Sequence, residues 1–272
     1  MKVAVVIPVL NQLAYTQGCL RCLDADIAAG VSVVMIDNGS TDGTGAWLKQ
    51  CAGITVISNI ENRGCAAAWN QGCNAAREAD WIVVLNNDVL LPSGWLGKLI
   101  GAAEREGLDV VSPAMREREQ NYLFDEYAAD FMERMSTVVR RGVAHGVCFA
   151  VSRGTFEKVG EFDEAFRIGQ FEDSDFFRRA DLAGLKIGTV GACFIHHFGS
   201  VTQDALRSSA KVRPYEAENR AYFRAKWKIS WWRRRWEKFV AKRRLAAWRK
   251  GELAAQGRTL HEKWEDGAWK AF

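Results

Sequence analysis

Four short runs rich in β-branched residues, VAVVI (3–7), VSVVMI (31–36), ITVIS (54–58) and WIVVL (81–85), alternate with stretches of helical spacing at 13–23, 44–50 and 65–77. That alternation constrains the chain more than any other feature. Each run is apolar enough to be covered on both faces, as parallel strands are when helices lie on either side. The order therefore predicts an α/β fold with a mostly parallel, doubly wound central sheet flanked by helices. In such sheets ligands bind beyond the carboxyl ends of the strands.

Those ends are polar. The first strand runs into Pro8-Val9-Leu10-Asn11, the second into Asp37-Asn38-Gly39-Ser40-Thr41-Asp42-Gly43-Thr44, the third into Asn59 and Glu61-Asn62-Arg63-Gly64, and the fourth into Asn86-Asn87-Asp88. One such loop reads as a turn with a helix cap. Four on one edge of a sheet predict a binding crevice. No GxGxxG follows a strand and no GxxxxGK[ST] occurs, which excludes the usual dinucleotide and P-loop grips. A calcium loop counted from Asn38 puts Lys49 where the bidentate Glu belongs, so that template fails too.

The second half is less regular. Residues 115–141 read as a charged helical segment with little strand character, 142–152 as a strand returning to the sheet, and 153–159 as a short helix. Glu172, Asp173 and Asp175 open a helix that ends near Gly184, and three acids beside Phe171, Phe176 and Phe177 exceed what capping requires. A further strand ends in His196-His197 with Gly199 and Ser200 behind them, a pairing suited to a metal or phosphate. The seven cysteines are odd in number and scattered through apolar segments, as reduced core thiols are, and the Cys19/Cys22 pair lacks the second pair of a zinc site. No apolar run reaches the roughly 20 residues that span a bilayer, and MKVAVVIPVLNQ is no signal peptide, so a cytoplasmic protein is expected.

The set VVIPVLNQ, VVMIDNGSTDGT, NRGCAAAWNQG, WIVVLNNDV, GEFDEAF, FEDSDFFRRADLAGLKI and HHFGSVT resembles the inverting family 2 glycosyltransferases of the GT-A fold, particularly rhamnosyltransferase-like bacterial and phage members. The resemblance runs from residue 3 to about 228, where NRAYFRAKW is similar to the family's closing segment. It implies a GT-A domain over 1–228, with a nucleotide-sugar half to about 112 and an acceptor half from 113. The implied activity is that of a hexosyl- or deoxyhexosyltransferase moving a sugar from a nucleotide diphosphate sugar to an acceptor hydroxyl, with Mn²⁺ or Mg²⁺ holding the diphosphate. By the same resemblance Pro8, Val9, Asn11, Asp37, Asn62, Arg63, Gly64, Asn70, Asn86 and Asn87 surround the nucleotide sugar. Asp88 binds the metal, joined by His197 or His196, with His197 favoured because Gly199-Ser200 behind it match the family's His-x-Gly-Ser pattern. Asp173 is the general base, with Glu172 positioning the acceptor. Where the family has DxD, Asn86 replaces the first carboxylate, an amide that ligates a hard cation without adding charge. A catalytically silent nucleotide- or carbohydrate-binding module and a nucleotidyltransferase are the competing readings.

The tail is different in character. From Lys226 onward 14 Lys or Arg stand against 5 Asp or Glu, so it carries +9 in a chain of net charge +4, and seven of the eleven Trp lie between Trp227 and Trp269. A basic, Trp-rich helical extension over 229–272 is expected, with Ile229, Trp232, Trp236 and Val240 on one face. Three partners fit such a helix: its own catalytic domain, a membrane surface near a lipid-linked glycan acceptor, or a nucleic acid, including a modified DNA base as acceptor.

Overall fold

The computed structural model describes residues 1–199 and 215–272. Its first half runs β1 (Val3–Val9), α1 (Leu13–Cys22), α2 (Asp24–Ala28), β2 (Ser32–Asn38), α3 (Thr44–Leu48), β3 (Thr55–Asn59), α4 (Cys65–Ala75), β4 (Trp81–Leu85), β5 (Val89–Leu90) and α5 (Trp95–Glu106). There follow β6 (Val110–Glu117), α6 (Phe124–Arg134), β7 (Val139–Arg141), β8 (Cys148–Ser152), α7 (Arg153–Val159), α8 (Glu172–Leu182) and β9 (Ile187–His197). From residue 215 the described elements are α9 (Tyr215–Lys226), α10 (Trp231–Gln256), β10 (His261–Glu265) and β11 (Ala268–Ala271).

The sheet runs β11-β10-β6-β8-β4-β1-β2-β3, with β9 on the far side of β6. β1 is parallel to β2 and β4, and β2 to β3, as two-sided apolar runs demand. β8 enters antiparallel between β4 and the start of β6. Apolar residues of β1 alternate between two core layers. Val5 and Ile7 pack with Leu20, Leu23 and Leu99 beneath α1 and α5, while Val6 packs with Ala66, Trp69, Phe176 and Ala180 beneath α4 and α8.

Three expectations are corrected. Residues 115–141 are not one helical segment: Met115–Glu117 close β6 and Val139–Arg141 form β7, leaving α6 between them. The run DVVSPAM hides its strand because Ser112, Pro113 and Ala114 break the β-branched pattern at a register shift of the β6–β9 ladder. In 142–152 only Cys148–Ser152 is strand.

The tail is helical through Gln256 but ends in a hairpin, not a helix. Asp266 (φ 53°) and Gly267 (φ 75°) both adopt left-handed backbone, the turn that an Asp-Gly pair favours between two short strands. β10 then pairs parallel with β6, His261 opposite Met115 and Lys263 opposite Glu117. Leu260 is fully buried against Phe131, Met135 and Phe194, a contribution of about 1.5–3 kcal/mol. Arg140 and Glu252, 2% and 6% exposed, close a bidentate pair at 2.7 and 2.8 Å, with Thr259 Oγ1 bonded to both. The extension is thus part of the sheet and its core.

Candidate active site

The strand ends converge as the topology requires. β5 is antiparallel to β9 with Val89 opposite His197, which sets Asp88 beside His197. β4 is antiparallel to β8, and the Asn86 N–H donates to the Val147 carbonyl at 2.9 Å, bringing Gly146 to the same edge. The loop before α8 closes the other wall. A cleft of about 450 Å³ lies between, lined by Pro8, Val9, Asn62, Asn86, Asn87, Asp88, Glu172, Asp173 and His197 among the residues expected there.

His197 is gripped from both sides. Its Nδ1 is 2.9 Å from Glu117 Oε1, and its Nε2 stands 3.3 Å from Asp88 Oδ1. Burial opposes charge on this imidazole, but the Asp88 and Glu117 carboxylates outweigh it and hold its pKa up to about 9. Glu117 is held below the usual range against the effect of its own burial by its bond to His197.

Glu172 and Asp173 sit in the first turn of α8. Burial, reinforced by the Asp173 charge, pushes the Glu172 pKa up to about 8, although the Cys65 thiol donates to its carboxylate. Burial also raises Asp173, opposed by N–H bonds from Ser174 (2.6 Å) and Gly146. A side chain at Gly146 would collide with that carboxylate, so only glycine allows the approach. The preceding loop is strained: Ile168, Gln170 and Phe171 all have φ between 62° and 77°. Asn219 of α9 holds it. Its Nδ2 donates to the carbonyls of Arg167, Gly169 and Gln170, and its Oδ1 accepts from the Arg167 N–H.

Two buried polar atoms that lack a hydrogen-bond partner lie on residues of this cleft, Trp69 Nε1 and Glu172 Oε2, and His197 Nε2 meets Asp88 without a well-aligned hydrogen bond. Native interiors rarely leave such atoms unsatisfied, and their clustering is the signature of a ligand site.

Other expected residues stand apart from the cleft wall. His196, one residue from His197 on a strand, faces the opposite side, where its ring meets Tyr122 Oη at 2.8 Å and the Arg118 carbonyl at 3.2 Å. Burial drives its pKa down to about 4. The expectation that His196 joins the metal set is corrected. Asn70 does not face the crevice either, because its amide is spent on both backbone groups of Phe162 and on Glu164. Asn11 bridges to Ser40 and Thr41, while Asp37 accepts from the Ser40 N–H, so both brace the loop behind Val9. Arg63 and Gly64 enter through backbone: the Arg63 N–H donates to Asn38 Oδ1 and the Gly64 N–H to Asn62 Oδ1. Ser200 lies outside the described residues.

The structure adds Asn38, Cys65, Trp69, Glu117, Gly146, Gln170 and Ser174 to the lining. Asn38 had a signal, since it alternates with Asp37 at a strand end. Glu117 had none while β6 was read as helix.

Among the described residues no cluster of three or more His, Cys, Asp or Glu has ligand spacing. Asp88 and His197 nevertheless fit a hard cation. With Nδ1 held by Glu117, a cation binding beside Asp88 would displace the proton of Nε2 and take its lone pair, the carboxylate–histidine arrangement common at metal sites. Mg²⁺-type ions bound with substrate phosphates need only one or two protein carboxylates.

Comparison with known proteins identifies the family and the fold. An N-acetylglucosaminyl-diphospho-decaprenol L-rhamnosyltransferase of Mycobacterium tuberculosis is 26% identical over 243 residues, covering 75% of this chain and 77% of that protein. A PGL/p-HBAD biosynthesis glycosyltransferase of Mycobacterium bovis is 25% identical over 179 residues, covering 64% of this chain and 67% of that protein. Two solved structures share the fold at a TM-score of 0.57: GalNAc-T7 with UDP, GalNAc and Mn²⁺ (15% identical, 72% of this chain) and S. aureus TarS 1–349 (16% identical, 74% of this chain). The chain spans 44% and 61% of those two chains, less than two thirds of either. The α/β architecture is that of GT-A glycosyltransferases. Residues 4–160 match the family described as Glycosyl transferase family 2, more than half of the chain, and the protein belongs to that family.

Proposed function

We propose that this glycosyltransferase moves a hexosyl or deoxyhexosyl residue, with inversion, from a nucleoside diphosphate sugar to a hydroxyl of a lipid-linked glycan. The observation that carries the reading is one cleft lined by both Asp88–His197 and Glu172–Asp173, with unpartnered Trp69 Nε1 and Glu172 Oε2 in its lining. The lipid-linked acceptor is supported by the mycobacterial rhamnosyltransferase, whose name states a diphospho-decaprenol substrate.

Pro8, Val9, Asn38, Asn62 and Asn86–Asp88 come from the first 112 residues and form the donor half. Glu117, Gly146, residues 168–174 and His197 form the acceptor half. Asp88 and His197 would hold Mn²⁺ or Mg²⁺, with Asn86 beside them, and a cation so held would supply positive charge to a diphosphate leaving group.

Asp173 accepts the proton of the acceptor hydroxyl, whose oxygen forms a bond to the anomeric carbon as the bond to the diphosphate breaks. Attack opposite the leaving group inverts the centre. A carboxylate raised by burial but steadied by two N–H donors is still a stronger base than an exposed one. Glu172, which retains a proton to higher pH, serves as a hydrogen-bond donor to the acceptor.

Asp173→Asn is expected to abolish transfer while the nucleotide sugar still stabilises the protein in a thermal shift assay. Normal turnover by this variant would remove Asp173 from the role. The anomeric configuration of the product, read by NMR, tests inversion.

A further inference from the structure

The aromatic residues in the first half of α10 do not cover the catalytic domain. Trp232 is 74% exposed, Trp236 66% and Phe239 50%, with Trp231 and Val240 also exposed. At 100° per residue Trp232, Trp236, Phe239, Val240 and Arg243 project from one side of the helix. The opposite side carries the half-buried or buried residues Arg234, Glu237, Leu245, Trp248, Arg249 and Glu252. That side makes the contacts to the domain: Glu237 to Arg178 of α8 at 3.6 Å, Trp248 beneath the Arg140 guanidinium, and Glu252 to Arg140. One face of α10 is therefore docked and the other, large and apolar, faces out.

Charge identifies what covers that outer face. α10 carries nine Lys or Arg against Glu237 and Glu252. Cations flank the rings: the Arg235 guanidinium lies 5.1 Å from the Trp231 ring and that of Arg243 5.4 Å from the Phe239 ring. Indoles at the waterline, an apolar edge beneath them and cations at their flanks match the headgroup region of an anionic bilayer. A nucleic-acid groove would use the arginines but has no use for Phe239 and Val240 side by side with them. No helix among the described residues is long and apolar enough to cross a membrane, so contact through this helix is surface contact.

We propose that the outer face of α10 is a docking surface for an anionic lipid bilayer, entered by Trp232, Trp236 and Phe239. The inference goes beyond the transfer reaction and does not depend on it. The test is flotation of the full chain with phosphatidylcholine vesicles, with and without phosphatidylglycerol. The wild type floats with the anionic vesicles only, and salt weakens the binding. The triple variant Trp232→Ser/Trp236→Ser/Phe239→Ser loses roughly a hundredfold in partitioning, from partial burial of three large side chains. Its melting temperature and its binding of nucleotide sugar stay unchanged, because these residues touch neither the core nor the cleft. Equal flotation of variant and wild type overturns the proposal, as does absence of wild-type flotation. So does tight binding of double-stranded DNA by a wild type that ignores vesicles.

Discussion

Replacing Asn219 with alanine tests how Asp173, the proposed base, is held. Four hydrogen bonds join this one side chain to the loop before α8, a net contribution of about 2–6 kcal/mol at ~0.5–1.5 kcal/mol each. Against them stand Ile168, Gln170 and Phe171 in left-handed backbone, costing roughly 1–3 kcal/mol apiece. The two quantities are of the same size, so without Asn219 the loop has no reason to keep its shape. Phe171 caps α8 in that strained conformation, and Asp173 is two residues on. Misplacing a catalytic group by about 1 Å costs on the order of a hundredfold. Asn219→Ala is therefore expected to lower kcat about a hundredfold with the donor KM nearly constant, because Asp88 and Asn86 lie on another loop. Hydrogen exchange of the 168–173 amides should accelerate while the β1 and β4 amides stay protected. Asn219→Asp, which keeps the acceptor for the Arg167 N–H but turns a carboxylate oxygen on the carbonyls of Arg167, Gly169 and Gln170, should be at least as damaging as alanine. A kcat within threefold of wild type in the alanine variant, with the loop still protected, would refute the reasoning.

Other outcomes follow from the same geometry. Asp88→Ala and His197→Ala should each abolish the melting-temperature rise caused by Mn²⁺ with nucleoside diphosphate; a full rise in either removes that residue from the cation site. Glu172 has its folded pKa raised from 4.5 to about 8, so the folded state binds the extra proton and Glu172 lowers stability progressively as pH climbs through that window. Glu172→Gln should then melt higher than wild type at pH 9 and equally at pH 4, measured by calorimetry. Because burial raises Asp173, the acidic limb of the kcat/KM profile should lie at a higher pH than an exposed aspartate would give, activity being lost as pH drops through it. Arg140→Ala, which strands a buried Glu252, should cost about 3–5 kcal/mol in denaturant unfolding; a loss below 1 kcal/mol would mean that the tail contributes little to the fold.

The strand ends of the first half were legible because two-sided apolar runs define a sheet edge without ambiguity. Asn86 and Asp88 could be read as cleft residues from their place at a strand end, whereas Asp173 came only through the family resemblance. His196 and His197 could not be told apart by residue type, yet period-two alternation already separates them once β9 is known to continue through both. Asn70 misled because an amide on the right helix satisfies backbone as readily as ligand. β6 escaped notice behind Pro113 and Ala114, and with it Glu117, the partner that orients His197. The Asp266-Gly267 turn was a readable hairpin signal, masked by the basic helical pattern before it. Asn219 carried no mark of its role, since the left-handed loop it secures appears only in three dimensions.

The pairing of β10 with β6 joins Arg116 to Glu262 across 146 residues. Until that stretch is synthesised, β6 presents an unpaired edge where β10 belongs, next to the strand that positions His197. Closing so long a loop is slow, and an open edge invites strands of other chains. The protein is thus vulnerable to aggregation until the hairpin is in place, and removing residues 261–272 alone should leave an insoluble product in which every residue lining the cleft is still present.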